Sequence, residues 1–171
     1  MRQHRNNSAS KQANVRLRPI TTGDQPFLCR VYMAARADEM AASGWDEAEI
    51  EAFLIQQFQY QHQYYQAHYA DGQFLVVCKQ EQAIGRLYWW ADGDQASLID
   101  ISLLPEYRGA GIGSALLARM LARADADGQA ISLHVEPYNP AYRLYCRNGF
   151  DVIGQNGVYL KMRRPPQGGL P

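Results

Sequence analysis

The stretch Arg108-Gly109-Ala110-Gly111-Ile112-Gly113-Ser114 holds the strongest chemical signal in the chain, with three glycines at alternate positions just before an amphipathic run. Glycine removes side chains, so backbone N–H groups can approach a ligand closely. At the start of a helix those donors are unsatisfied and the dipole favours an anion, which makes a pyrophosphate the natural guest. A Walker loop needs Lys-Ser or Lys-Thr after its last glycine, and here Ser114-Ala115 follows. A dinucleotide fingerprint needs glycine where Ser114 stands, and a place near the start of a parallel unit rather than mid-chain. A plain tight turn needs one glycine, not three.

Four further side chains have chemical potential. Asp100 is an acid inside an apolar run, His134 stands between Leu133 and Val135, Glu136 follows them, and Tyr145 lies in Leu144-Tyr145-Cys146. Histidine titrates near neutrality and can serve as a base. Asp100 and Glu136 are its rivals, and for each of the three a structural hydrogen-bonding role remains open. His62 and His68 are six apart, off the spacing at which two histidines on one helix converge on an ion, so no metal is expected. Cys29, Cys78 and Cys146 are far apart and odd in number, which points to reduced thiols and a cytoplasmic setting.

Periodicity supplies the elements that must position these residues. Val15 to Ile20 alternates as a strand. Asp24 offers an N-cap for a helix running to about Ala41, and Asp46 with Glu49 forms a capping box for a second helix ending near Asp71-Gly72. Phe74 to Lys79, Ala83 to Ala91 and Ala96 to Leu104 follow as strands, with Asp92-Gly93 a turn. Ile112, Leu116, Leu117, Met120, Leu121 and Ala124 mark one face of a third helix, stopped by Gly128. Ile131 to Glu136 is a strand and Pro140 to Asn148 a short helix. Phe150 to Ile153 and Val158 to Met162 flank the turn signal Asn156-Gly157. Tight turns make the three middle strands antiparallel, whereas the pair around the third helix needs a parallel crossover.

The 171 residues fit one domain, read as 14–164 between a polar tail at 1–13 and a Pro/Gly-rich tail at 165–171. Seventeen basic residues balance seventeen acidic ones, so the footprint of a nucleic-acid binder is missing. No apolar run approaches the roughly 20 residues of a membrane helix. Acids cluster at Asp38, Glu39, Asp46, Glu47, Glu49 and Glu51. Helix capping accounts for those from Asp46 onward, and an acidic rim that attracts a cationic amine is the functional alternative.

Arg-x-x-Gly-x-Gly, here Arg108, Gly111 and Gly113, resembles the pyrophosphate motif of the GNAT superfamily of N-acetyltransferases. The preceding Ile101-Ser102-Leu103-Leu104-Pro105 resembles that family's central strand. Downstream, Asn139-Pro-Ala-Tyr-Arg-Leu-Tyr145-Cys-Arg-Asn-Gly149-Phe150 is similar to its other signature. The resemblance covers about Val15 to Arg163. It implies an α/β fold with a mixed, mostly antiparallel sheet, a splayed central parallel strand pair, and helices on both faces.

The implied activity is transfer of an acetyl group from acetyl-CoA to a primary amine of a small molecule or protein, by direct attack in a ternary complex. A non-catalytic acyl-CoA sensor and a transferase of longer acyl groups are the alternatives. By resemblance, the backbone of Ile101, Ser102 and Leu103 pairs with the pantetheine arm. Amides from Gly109 through Ala110, Gly111, Ile112 and Gly113 to Ser114 hold the pyrophosphate, Arg108 reaches a phosphate, and Asn139 lies near the pantetheine or acetyl group. Tyr145 matches the family's thiolate-protonating tyrosine. His134 occupies the place of a glutamate that ribosomal-protein acetyltransferases carry as a Leu-Glu-Val segment. The family often dimerises, so a homodimer is a possible partner arrangement.

Overall fold

The computed structural model describes residues 14–168. The apolar stripe read from the sequence becomes α3 (Ile112–Ala126), in which Ile112, Leu116, Leu117, Met120, Leu121 and Ala124 are all buried. Each large aliphatic side chain buried this way stabilises the fold by about 1.5–3 kcal/mol. The helix therefore locks against the sheet and holds its own N-terminus in place.

The sheet has seven strands in the order β1-β2-β3-β4-β5-β7-β6. They are β1 (Val15–Pro19), β2 (Gln73–Lys79), β3 (Gln82–Asp92), β4 (Gln95–Leu103), β5 (Ala130–Val135), β6 (Asp151–Asn156) and β7 (Tyr159–Arg164). Only β4 and β5 run parallel. Helices α1 (Gln25–Ala41) and α2 (Glu47–His68) cover one face through Leu28, Tyr32, Leu54 and Phe58. On the opposite face, α3 and α4 (Ala141–Arg147) pack over Leu87, Trp89, Leu98, Ile131, Leu133 and Met162.

The local signals translate unevenly. The Asp46–Glu49 capping box forms in both directions, at 3.0 and 2.9 Å. Asp24 does not cap α1; its carboxylate turns back to Arg18 at 2.7 and 2.8 Å and to the Thr21 amide at 2.7 Å. A buried acid beside a guanidinium gains more from that pair than from a cap, and its pKa is held well below the carboxylate range by the Arg18 hydrogen bonds. The two hairpin turns sit one residue later than the dipeptide signals suggest. Asp92 pairs with Gln95 and Asn156 with Tyr159, so Gly93 and Gly157, with φ of 54° and 59°, become the first turn residues. Strand β6 extends to Asn156, past the expected Ile153, because all six of its residues are exposed and no alternation marks it. Gln167, in the segment read as a tail, donates its amide to Asp125 at 2.7 Å.

Candidate active site

Two departures from regular pairing open the centre of the sheet. The parallel ladder between β4 and β5 holds only Gln95–Ala130, Ala96–Ile131 and Ser97–Ser132. Beyond Ser97 the strands separate, and the edge of β4 from Leu98 to Leu103 that faces β5 has no strand partner. The second departure is a bulge: Tyr88 pairs with Asp100 but Trp89 with Leu98, which leaves Ile99 as the extra residue. A bulge bends a strand and re-phases its side chains. Consequently Leu98, Ile101 and Leu103 all join the α3-side core. Asp100 and Ser102 face α1 and α2 instead, where Asp100 accepts from Arg86 Nε and from Ser102 Oγ at 2.8 Å.

The glycine turn lies at the top of this opening. Gly109 and Gly111 adopt φ of 75° and 82°, the left-handed region in which a Cβ is strained. The first helical hydrogen bond of α3 runs from Ala115 N–H to the Gly111 carbonyl at 3.0 Å. The amides of Ile112, Gly113 and Ser114 precede it, so they are the orphan donors of the helix N-terminus. A Cβ placed on Gly109, Gly111 or Gly113 would meet nothing within 4 Å. These glycines therefore do not make room for protein atoms; they leave clear space in front of the amides, which fits a phosphate group. Arg108 does not simply project outward. Its Nε donates to the Leu103 carbonyl at 2.9 Å and braces the turn against β4, with the two terminal nitrogens left over for an anion.

Tyr145 is 8% exposed, with its ring edge-on to Phe150 at 5.7 Å. Burial, then the charges of Asp100 and Glu136, push its pKa up to about 12. The ring itself belongs to the core on the α3 side of the sheet. At neutral pH the phenol is fully protonated and available as a donor.

His134 is exposed on β5, on the face opposite Leu133 and Val135, and pairs across the strand with Lys161. Partial burial and the Lys161 charge lower its pKa, so the ring is neutral, and basic, at pH 7. Glu136 accepts from Asn139 Nδ2 at 3.3 Å. Asn139 Oδ1 accepts the Ala141 amide at 2.9 Å, so this side chain ties the start of α4 to Glu136. It also lines a cavity of about 340 Å³ with Pro137, Tyr138, Pro140, Tyr142 and Arg143.

The structure thus brings Asp100, Glu136 and Tyr145 into mutual electrostatic reach and keeps His134 on the neighbouring surface. Several participants were not flagged by any motif. Arg86 is 3% exposed, bonds Asp100 and Gln61, and lies 4.9 Å from the Tyr88 ring centre. Its only advance signal was a charge within the strand Ala83 to Ala91. Arg36, Tyr138 and Tyr159 carried none.

The family model for the Acetyltransferase (GNAT) family matches residues 37–150. The chain belongs to the GNAT family. Like the other members it is an acetyltransferase-type transferase, and the splayed strands and glycine turn are this GNAT chain's version of the fold's central opening. Over 80 residues it is 32% identical to the [ribosomal protein bS18]-alanine N-acetyltransferase of Haemophilus influenzae, a stretch covering 46% of this chain and 55% of that relative. The match thus spans little more than half of that curated protein's length. Among solved structures, the PaiA N-acetyltransferase of Thermoplasma acidophilum in complex with coenzyme A superposes with a TM-score of 0.68 at 21% identity, covering 88% of this chain and 98% of that one. The ribosomal-protein-S18-alanine N-acetyltransferase of Escherichia coli does so with a TM-score of 0.57 at 17% identity, covering 91% and 96%. These likenesses establish the shared fold.

Proposed function

We propose that this GNAT chain transfers an acetyl group from acetyl-CoA to a primary amine by direct attack in a ternary complex. The observation that carries the reading is the early parting of β4 and β5, with the orphan amides of α3 after the first of these strands and the buried Tyr145 on the helix after the second. The amides of Ile112, Gly113 and Ser114, with Gly109, Ala110 and Gly111 left open before them, suit the pyrophosphate. The free edge of β4 at Ile101 to Leu103 suits an extended amide-bearing arm, which can bond to it as an added strand would. Acetyl-CoA supplies the thioester carbonyl that the amine attacks.

The chain's own groups then divide the proton traffic. His134 accepts the proton that the amine sheds as the C–N bond forms. Asp100 is less suited because Arg86 and Ser102 occupy both its oxygens, and Glu136 is partly engaged by Asn139. Tyr145 donates its phenolic proton to the sulfur as the C–S bond breaks, and regains one from the released amine proton through solvent.

The test is a thiol-release assay with acetyl-, propionyl- and longer acyl-CoAs against a panel of primary amines, with product mass confirmed. Amine-dependent release that is fastest with acetyl-CoA is expected. Acyl-CoA binding without release for any amine would leave a sensor and overturn the catalytic reading.

A further inference from the structure

Arg36 projects from α1 toward the same face of the sheet as His134 and Glu136, and it lacks a strong partner. Its side chain is 26% exposed, and its nearest carboxylate, that of Glu39 one helical turn on, stands 3.6 Å away, beyond hydrogen-bonding distance. The guanidinium carbon lies 4.7 Å from the Tyr32 ring centre, so one face is fixed by the aromatic ring. The Tyr159 hydroxyl flanks it as a neutral partner. A half-buried guanidinium has five donors in a rigid fork, and one distant carboxylate and neutral phenols leave most of them unused.

Strand register and the Tyr32 ring place the groups around it. His134 pairs with Lys161 and Val135 with Leu160, where the ladder ends; Glu136 follows directly on β5 and Tyr159 begins β7, so both lie at that end of the strand pair. Burial, then the charges of Asp100 and Glu136, act on Tyr145. The Tyr32 ring stands near two guanidinium groups, that of Arg36 and, 5.9 Å from its centre, that of Arg86, which bonds Asp100 on β4; Arg36 therefore lies on the α1 side of the sheet, close to the strand that borders the opening. Lys161 and Arg163 are exposed on the same strand face, opposite His134 and Ser132. Glu39, one of the acids read as a rim, stands 3.6 Å from Arg36, and Lys161 and Arg163 add two exposed cations to the face that carries His134.

We propose that Arg36 is a specificity residue for the acceptor and binds an anionic oxygen group, a carboxylate or a phosphate, carried by the same molecule that presents the amine. The proposal rests on the acetyl-transfer reading and narrows its substrate class to amines with an anionic end. A planar guanidinium held by Tyr32 matches either oxyacid through two parallel hydrogen bonds, whereas an ammonium at that place would be repelled.

The experiment uses acceptors that differ only in the remote group: β-alanine against β-alaninamide, and phosphoethanolamine against ethanolamine. Wild type is expected to show at least tenfold lower KM for one anionic member than for its neutral counterpart. Arg36→Gln should raise the KM of that anionic acceptor about tenfold and leave its neutral counterpart within twofold, so the neutral acceptor controls for folding. Arg36→Lys should recover only part, because a point charge lacks the fork. Calorimetric titration of the anionic acceptor into protein saturated with CoA gives a readout independent of turnover, and the Gln variant should weaken it equally. The carboxylate and phosphate pairs identify which oxyacid is used. Equal KM values within both pairs in wild type, or equal losses for anionic and neutral acceptors in Arg36→Gln, would overturn the assignment while leaving acetyl transfer intact. Absence of acetyl-CoA binding in wild type would remove the transfer reading itself, and this proposal with it.

Discussion

Replacing Gly113 with alanine separates the two roles a glycine can have at the start of α3. Gly113 is not in the left-handed region, unlike Gly109 and Gly111, and an added Cβ meets nothing within 4 Å. The fold therefore has no reason to require glycine there. Alanine is favoured over glycine in a helix interior by up to about 1 kcal/mol, and about half of that is reasonable in the first turn. At about 2–4 °C per kcal/mol for a chain of this size, the ligand-free Tm should stay level or rise by about 1–2 °C. Binding should move the other way. Helical Cα–Cβ bonds lean toward the N-terminus, so the new methyl stands in the space before the orphan amides. Losing one hydrogen bond to a charged phosphate costs about 1.5–3 kcal/mol, so the Kd for CoA should rise roughly 10- to 100-fold. Calorimetry with CoA, paired with a thermal melt of the free protein, measures both. An unchanged Kd in a folded Gly113→Ala protein would show that this turn does not hold the pyrophosphate. A Tm several degrees lower would show that the glycine serves the fold. Gly111→Val is a poorer probe, because its φ of 82° adds backbone strain of about 1–2 kcal/mol to any effect on the ligand.

Tyr145→Phe keeps the ring against Phe150 and removes only the hydroxyl; kcat should fall about 10²-fold or more with CoA affinity within twofold, and near-normal turnover in steady-state assays would reassign the proton. If His134 is the base, kcat/KM should rise with pH through a limb below its ordinary value of about 6.5, since burial and Lys161 both lower its pKa. Lys161→Met should move that limb upward and His134→Gln should abolish it; a pH profile identical in all three proteins would exclude the histidine. A group with a depressed folded pKa binds fewer protons in the native state, so the His134 contribution to stability is present above about pH 6.5 and is lost as pH falls through the lowered value. Asp100→Asn leaves Arg86 buried without its carboxylate, which should cost about 3 kcal/mol and roughly 6–12 °C in Tm. A melt within 2–3 °C of wild type, accompanied by a large loss of kcat, would make Asp100 a catalytic carboxylate rather than a strut.

Much of the fold was legible because its signals are local. The stripe Ile112 to Ala124, the Asp46–Glu49 box and the glycine-rich turn each act within one or two helical turns, where side-chain spacing determines conformation directly. The same holds for the start of α3, since left-handed glycines and orphan amides need no distant partner. Asp24 misled because the Arg18 guanidinium on β1 took its carboxylate from the helix N-terminus, and that competitor becomes adjacent only when β1 and the start of α1 fold together. Strand β6 was cut short because a fully exposed strand writes no hydrophobic pattern.

By itself, the sequence determined the order of elements and the glycine-rich turn before α3, which follow from residue types at short spacing; the role expected of Tyr145 came from the resemblance of its motif to the family's signature. Tertiary structure alone decided where the sheet opens, because a three-pair parallel ladder and a one-residue bulge at Ile99 depend on how β3, β4 and β5 meet. It also decided which acids matter. The bulge turns Asp100 toward Arg86 on one face, and the β5–β7 register sets His134 opposite Lys161, residues 27 positions apart in the chain. Convergence of charges from separate elements is a property of packing and register, and no spacing along the chain encodes it.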